Sequence, residues 1–241
     1  MKIMTLLATS LLFGLLLKSD YQVKVAGAMR QIMQQGDLSA KAALDTLLAQ
    51  PHLYALGPVE GLVGEIMVLD GVPYTCAVAG KTLSLRQSPE EKAAMLVYTH
   101  VDRWQTLRLA EGVNSYQALE KMIQARAKAA GIDTEKPFPF LLTGTATRVN
   151  YHVIDWQPGT THTMQNHKQF ARTGELKGAV QVLGFYSTRH HGVFTHHSTN
   201  MHLHVMDAGH TLEAVLDRIK KRVGLSWSYQ ATKTCTKRIA N

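Results

Sequence analysis

Short apolar runs separated by glycine-containing turn signals constrain the fold of this chain more than any other feature. Within residues 53–74 the runs are interrupted at Gly57-Pro58, Gly61, Gly64 and Asp70-Gly71, a spacing typical of β-hairpins. Asp70-Gly71 is the most specific of these signals, because both residue types tolerate the positive φ of a type I′ turn. The sequence therefore predicts a hairpin formed by residues 66–69 and 72–75.

Two segments carry helical signals. In residues 115–130, Ser115 can cap the first turn, apolar residues recur on one side, and Gly131 follows the last turn. A second helix is predicted over residues 38–49, with Ser39 as its cap and Pro51 after its end.

The chain after Pro137 is dominated by strand signals, at residues 140–145, 149–156, 178–187 and 202–205. The first part mixes helices with strands. The sequence therefore predicts an α+β protein with two β-rich halves: a mixed N-terminal half over residues 21–137, and a smaller, barrel-like C-terminal half over residues 138–241.

The positive charge does not indicate a nucleic-acid-binding protein. The chain has 26 basic and 18 acidic residues and a formal net charge of +8, but the bases are scattered. The densest group is Lys220-Lys221-Arg222, and no stripe or known binding module accompanies it. We therefore expect a solvated basic surface and no nucleic-acid partner.

Residues 1–20 are predicted to be a signal peptide. Lys2 precedes an apolar stretch at residues 3–17, which is short for a transmembrane span. A buried first helix is the alternative. Ala26-Gly27-Ala28 fits a cleavage site but lies far downstream, so the cleavage site stays open. We expect a secreted or periplasmic protein without stable membrane insertion, in which Cys76 and Cys235 have the opportunity to pair.

Seven of the 12 histidines lie between His190 and His210, a density that favours metal binding. His202 and His204 alternate with apolar residues, so in a strand they share one face. A hairpin loop at residues 206–208 would set His210 opposite His204 and give three ligands with an open fourth position. Solvated histidines are the alternative, with His196 and His197 as rival ligands. If residues 213–223 are helical instead, His210 lies at the entrance of that helix.

Two further segments carry candidate catalytic residues. Glu65 follows two glycines and begins an apolar strand, where desolvation would raise the pKa of its carboxyl group toward values useful for proton transfer. A solvated glutamate at a sheet edge is the alternative. Arg148 and His152 share a face if residues 143–152 are extended, and a cation there is suited to a substrate carboxylate.

Taken together and in this order, the segments resemble the acetolactate decarboxylase family. The resemblance is carried by the following motifs: L-V-G-E-I at 62–66, V-L-D-G at 68–71, L-T-G-T at 142–145, K-G-A-V-Q-V-L-G-F-Y-S at 177–187, H-L-H at 202–204 and G-H at 209–210.

This resemblance implies decarboxylation of 2-acetolactate to acetoin, a homodimer, and a metal site in the cleft between the halves. His202, His204 and His210 match the metal ligands, which would hold Zn²⁺ or another divalent ion as a Lewis acid on the hydroxyl and ketone oxygens of the substrate. Glu65 matches the first active-site glutamate. No organic cofactor is implied.

Three departures from the family pattern bear on the activity. The family's arginine falls on His152, with Arg148 four residues earlier as a substitute. The interval from His204 to His210 is shorter than in the family, and residues 224–241 contain no glutamate, although the family has a second active-site glutamate near its C-terminus. The alternatives are a divergent secreted metalloprotein, inactive or acting on another 2-hydroxy-3-oxo acid, and an interaction protein with a histidine-rich surface.

Overall fold

The structure is a computed structural model that describes residues 21–109, 113–161, 163–219 and 227–231. The predicted signal peptide and Cys235 lie outside these residues. The helices in this part of the chain are α1 (Met29–Gln35), α2 (Leu44–Leu47), α3 (Tyr116–Ala129) and α4 (Met164–Phe170), with a 3-10 turn at Glu60–Leu62. None of these helices is long and apolar enough to cross a membrane.

Strands account for most of the described chain. In order they are β1 (Lys24–Ala26), β2 (Ala42–Ala43), β3 (Leu53–Pro58), β4 (Glu65–Leu69), β5 (Val72–Ala79), β6 (Thr82–Arg86), β7 (Lys92–Ala93), β8 (Leu96–His100), β9 (Gln105–Leu109), β10 (Phe138–Ile154), β11 (Ala171–Tyr186), β12 (Met201–Asp207), β13 (Glu213–Ile219) and β14 (Trp227–Ala231).

The first sheet has the antiparallel order β1-β8-β3-β4-β5-β6. Its predicted hairpin is confirmed, since Leu69 pairs with Val72 and the two turn residues have positive φ, 49° at Asp70 and 80° at Gly71. A separate two-stranded sheet is formed by β2 and β7.

The second sheet has the order β11-β12-β13-β10-β14-β9, and β10 also pairs with β11. Strands β10 to β13 therefore close on themselves like a small barrel. Helix α3 covers the apolar side of this barrel through Leu119, Ile123 and Ala127, all fully buried. The predicted α3 helix is confirmed, with the Ser115 side chain accepting a hydrogen bond from the Ala118 amide.

The two sheets pack face to face. Met67 and Leu69 on β4 lie in one apolar cluster with Leu183 and Phe185 on β11, whereas Ile66 and Val68 face the other way. This arrangement confirms the predicted α+β class with two β-rich halves, and it brings the start of β4 against β12 and β13. The boundary placed between residues 137 and 138 stays a prediction; β9 and α3, which precede it, belong to the second sheet and its core.

The helix predicted over residues 38–49 is wrong. Its first part is extended and includes β2, and only Leu44–Leu47 is helical. The Ser39 hydroxyl donates to the carboxylate of Asp37 instead of capping a helix. Residues 42–43 gain ladder hydrogen bonds to β7, which outweigh local helix propensity.

The hairpin register predicted for His210 is also wrong. Val205 pairs with Ala214, and His204 pairs with Val215. The loop is longer than predicted because the Asp207 carboxylate accepts the amides of Gly209, Thr211 and Leu212. The alternative helix over residues 213–223 is excluded for Glu213–Ile219, which is strand β13.

Candidate metal and active site

Glu65 begins β4 at a point where two strands approach closely. A Cβ atom at Gly64 would lie 2.5 Å from the Cys76 carbonyl oxygen, so this position requires glycine. The chain direction set there turns Glu65 into the protein, where it is 2% exposed and its Oε1 accepts the amide of Ile154 at 3.3 Å. Burial raises the pKa of the Glu65 carboxyl group to about 8, against the opposing effect of His152. The buried interpretation of Glu65 is therefore confirmed.

His202 and His204 lie on the face of β12 that is turned toward Glu65. The two rings are 5.2 Å apart between centroids, and Nε2 of His204 lies 3.9 Å from Oε2 of Glu65. On its other side, Nδ1 of His204 forms a short hydrogen bond with Oε1 of Glu213, which is also fully buried. A carboxylate in that position fixes the orientation of the ring and leaves Nε2 for another partner.

Two imidazole nitrogens in this cluster are buried without a hydrogen-bond partner among the described residues: Nδ1 of His202 and Nε2 of His204. Burial lowers the pKa of His202 well below its ordinary value and that of His204 to about 3. Both rings are therefore neutral near pH 7 and keep a lone pair, which is the form that binds metal ions. Unpaired buried polar atoms are costly, and coordination of a cation is one way to satisfy such nitrogens.

His152 stands beside this cluster. Its Nδ1 lies 2.6 Å from Oδ1 of Asp217. Burial disfavours the charged ring, but the Asp217 hydrogen bond and charge, assisted by Glu65, hold the pKa of His152 above its ordinary value. His152 is therefore suited to stay cationic close to Glu65.

A cavity of about 1140 Å³ joins these groups, and residues of both sheets line it. Glu65, His152 and His202 lie in its wall, together with Val215 and Asp217 of β13. Among the described residues in the lining, the permanent cations are Arg30 on α1 and Lys168 on α4.

Two predicted site residues are not brought to this cluster. Arg148 lies within a register shift of β10, between Ala146 and Val149, outside the cavity lining. Its Nε is 3.3 Å from Oε2 of Glu175. His210 lies exposed in the β12–β13 loop, where its Nδ1 is 3.0 Å from the Tyr74 hydroxyl. Within the described residues, no group of three or more His, Cys, Asp or Glu side chains is close enough to count as a metal site.

Sequence reasoning missed Glu213 and Asp217. With Val215 they alternate along β13, so a strand interpretation of residues 213–219 would have placed both carboxylates on the face shared with His204. The apolar residues of this segment also fit one face of a helix. Because both interpretations were possible, the alternation of the two carboxylates was not recognised from the sequence.

The alpha-acetolactate decarboxylase family matches residues 21–231. The chain belongs to this family. The search of curated protein sequences found no match.

Solved structures show the same fold. A Staphylococcus aureus protein of unknown function similar to alpha-acetolactate decarboxylase has 17% identity and a TM-score of 0.70, over 87% of this chain and 85% of that chain. Alpha-acetolactate decarboxylase from Bacillus subtilis strain 168 has 15% identity and a TM-score of 0.70, over 87% and 83%. Acetolactate decarboxylase from Bacillus subtilis subspecies spizizenii has 13% identity and a TM-score of 0.72, over 87% and 86%.

Family and fold together indicate an acetolactate decarboxylase-type function, a carboxy-lyase that acts on a small molecule. Among the described residues, the cluster at Glu65 has side chains suited to such chemistry.

Proposed function

We propose that this protein is a metal-dependent decarboxylase that converts 2-acetolactate to acetoin. The observation that carries the proposal is the position of Glu65 beside His202 and His204 in the protein interior. The two imidazole nitrogens that lack a hydrogen-bond partner among the described residues are in the form that binds a metal ion. Buried titratable groups with strongly shifted pKa values in a cavity wall are typical of an active site.

His202 and His204 would hold the metal, with Glu213 orienting His204 and Glu65 lying beside the two rings. We propose Zn²⁺, although imidazole also suits other divalent ions. Once bound, the ion supplies Lewis acidity toward the hydroxyl and ketone oxygens of the substrate.

The residues of the chain perform the remaining tasks. His152, kept cationic by Asp217, binds the substrate carboxylate before the C1–C2 bond breaks and CO₂ leaves. The electron pair passes to C2 and the adjacent ketone as an enediolate. The Glu65 carboxyl group, whose pKa is raised, is placed to deliver a proton to C2, which gives acetoin. Apolar residues around the cluster limit access of water to the enediolate.

The test is acetoin formation from racemic acetolactate by purified, zinc-loaded protein, before and after chelation. We expect turnover that chelation abolishes and zinc restores, and loss of both bound metal and turnover in His204→Ala. His100→Ala is the control, because His100 bonds to the Pro51 carbonyl oxygen and lies outside the cavity lining. A folded, metal-loaded protein that forms no acetoin contradicts the proposal.

A related decarboxylase for another 2-hydroxy-3-oxo acid is the second candidate. It is favoured by the position of Arg148, which is engaged by Glu175 outside the cavity lining. The substrate acid is then left to His152 and the other cationic groups of the lining, which differ from the arginine that the family pattern implies. Turnover of a longer homologue with no turnover of acetolactate would select this candidate.

We also propose that the protein is exported and forms a homodimer. Export is supported by Lys2 and the apolar residues that follow it, and dimerisation by the family resemblance. Cell fractionation tests the first, and light scattering of the purified protein tests the second. A cytoplasmic, unprocessed chain or a monomeric mass contradicts the respective proposal.

A further inference from the structure

Glu120 lies in α3, and its side chain lines the same cavity as His202. Its carboxylate accepts hydrogen bonds from two residues that lie 79 and 80 positions further along the chain. Thr199 donates its hydroxyl to Oε2 at 2.6 Å. Asn200 donates its backbone amide to Oε2 at 3.2 Å and its side-chain amide to Oε1 at 2.7 Å. Because hydrogen bonds to carboxylates are stronger than those between neutral groups, these contacts join α3 firmly to the segment before β12.

This segment leads directly into the strand that carries the candidate metal ligands. Strand β12 begins at Met201, and His202 is its second residue. The Thr199 hydroxyl accepts the Met201 amide at 3.2 Å. The Met201 carbonyl oxygen accepts the hydroxyl of Tyr116 at 3.2 Å, and Tyr116 lies one helical turn before Glu120. Helix α3 therefore holds the backbone on the N-terminal side of His202 through two of its side chains.

The loop before β12 provides a second connection. Oδ1 of Asn200, whose side-chain amide is held by Glu120, lies 2.9 Å from Nε2 of His191 in this loop. Phe194, three residues later, is fully buried, and its backbone forms a hydrogen bond with the ring of His202. The residue that Glu120 holds is therefore also linked to the loop that contacts His202.

The two candidate metal ligands are oriented in different ways. The ring of His204 is held at Nδ1 by the Glu213 carboxylate. The ring of His202 is held by backbone, and its Nδ1 has no hydrogen-bond partner among the described residues. The direction of this nitrogen therefore depends on the backbone segments that Glu120 holds.

We propose that Glu120 is a positioning residue for the metal site: it fixes the segment before β12 and thereby directs His202 toward the ion. Both of its carboxylate oxygens are engaged by Thr199 and Asn200, so it acts through the backbone and not as a ligand. The inference rests on the proposed function, because the metal site belongs to that proposal. It extends the site to α3, the helix that covers the core of the second sheet.

Metal affinity in the absence of substrate tests the inference. Glu120→Gln keeps the size of the side chain but replaces one acceptor oxygen with an amide group, which faces the donors of Thr199 and Asn200. Competition with a chromophoric chelator should give a zinc Kd about tenfold higher than in the unchanged full chain, as for other residues that orient metal ligands. An unchanged Kd overturns the inference.

Glu135→Gln is the matched control. It removes the same charge from an exposed glutamate outside the cavity lining, whose Oε2 lies 2.8 Å from Nη2 of Arg189, just before the same loop. Its zinc Kd should equal that of the unchanged protein. An equal rise of the Kd in both variants would assign the effect to the loss of negative charge and overturn the inference.

The visible absorption spectrum of the cobalt(II)-loaded protein separates positioning from a general loss of stability. The bands follow the arrangement of ligands around the ion, so they should change in Glu120→Gln and stay the same in Glu135→Gln. If Glu120→Gln does not fold, Thr199→Val removes one of the three hydrogen bonds while the charge is kept, and the same change in smaller measure is expected. A higher Kd with an unchanged cobalt spectrum overturns the inference.

Acetoin assays separate this inference from the proposed function. Zinc-dependent acetoin formation with equal Kd values in Glu120→Gln and the unchanged protein supports the proposed function and overturns the inference. A higher Kd and an altered cobalt spectrum in a protein that turns over no 2-hydroxy-3-oxo acid support the positioning role and contradict the decarboxylase proposal. A full chain that binds neither zinc nor cobalt contradicts both.

Discussion

Oε2 of Glu65 lies 3.9 Å from Nε2 of His204, although one residue begins β4 of the first sheet and the other lies in β12 of the second. Both side chains are almost completely buried. Burial keeps the carboxyl group protonated and the imidazole neutral near pH 7, so the metal-free pair carries little charge. A divalent cation bound by the two histidines would lower the pKa of Glu65 from this raised value, because it stabilises the carboxylate.

The contribution of Glu65 to the stability of the metal-free protein should therefore fall as the pH rises. His202 and His204, whose pKa values are lowered, contribute in the opposite direction below pH 6.5. The pKa of Glu65 is raised from 4.5 to about 8 in the folded protein, so above pH 4.5 the unfolded chain releases a proton that the folded protein retains. The contribution of Glu65 to the free energy of unfolding then falls as the pH rises from about 4.5 to about 8. Urea denaturation in the presence of a chelator should therefore give a free energy of unfolding with a more positive dependence on pH in Glu65→Gln than in the unchanged protein. An equal slope in both proteins contradicts the burial argument.

Glu213 should tighten metal binding without touching the metal. Its carboxylate holds Nδ1 of His204, and carboxylates that orient a ligating histidine typically contribute about 10–100-fold in affinity. We expect Glu213→Gln to weaken zinc binding by that range in a competition titration with a chromophoric chelator. Glu175→Gln is the control, since Glu175 contacts Arg148 outside the cavity lining. Comparable weakening in both variants would show that loss of charge, not ring orientation, is responsible.

Asp217 should set the pH dependence of substrate binding. The Asp217 carboxylate holds the pKa of His152 above its ordinary value of 6.5, which keeps His152 cationic for the substrate carboxylate. KM should rise once the pH exceeds that pKa. In Asp217→Asn the pKa falls, so the rise in KM should begin at lower pH while kcat changes less. A KM profile that is unchanged in the variant contradicts the role of His152 in binding the acid.

Local signals in the sequence predicted the elements that carry the site. The turn at Asp70-Gly71 and the Ser115 cap of α3 are decided by residues within a few positions of each other, and such signals are visible without tertiary structure. The H-x-H alternation likewise placed His202 and His204 on one face of a strand. The burial of Glu65 follows from apolar neighbours on both sides in sequence.

The positions of the site residues that the sequence did not predict depend on long-range strand pairing. The position of His210 depends on a loop whose length is set by the hydrogen bonds that the Asp207 carboxylate accepts, and a one-residue change of register reverses every side chain. A register shift in β10 separates Arg148 from the cavity. Glu213 and Asp217 enter the site only because β13 is a strand between β12 and β10.

His210 should contribute to stability and not to metal binding. Its ring contacts Tyr74 edge-on at 5.3 Å and bonds to the Tyr74 hydroxyl. His210→Asn keeps a residue type that tolerates the positive φ of 51°. We expect unchanged zinc content and a decrease of about 1 kcal/mol in the free energy of unfolding. Loss of zinc in this variant would instead make His210 a ligand, as the sequence motif predicts.

Val215 is the position at which an additional histidine should strengthen the metal site. Val215 pairs with His204 on β12 and with His152 on β10, so its side chain is on the same face as both rings, and it lines the cavity with Glu65 and His202. Zinc sites commonly use three protein ligands and an open position. Val215→His should therefore bind zinc at least about tenfold more tightly in the chelator competition, since each factor of ten corresponds to about 1.4 kcal/mol. Val72→His is the matched control, because Val72 is 37% exposed at the end of a hairpin. Equal affinity in Val215→His, Val72→His and the unchanged protein would place the metal away from the face that β10, β12 and β13 share.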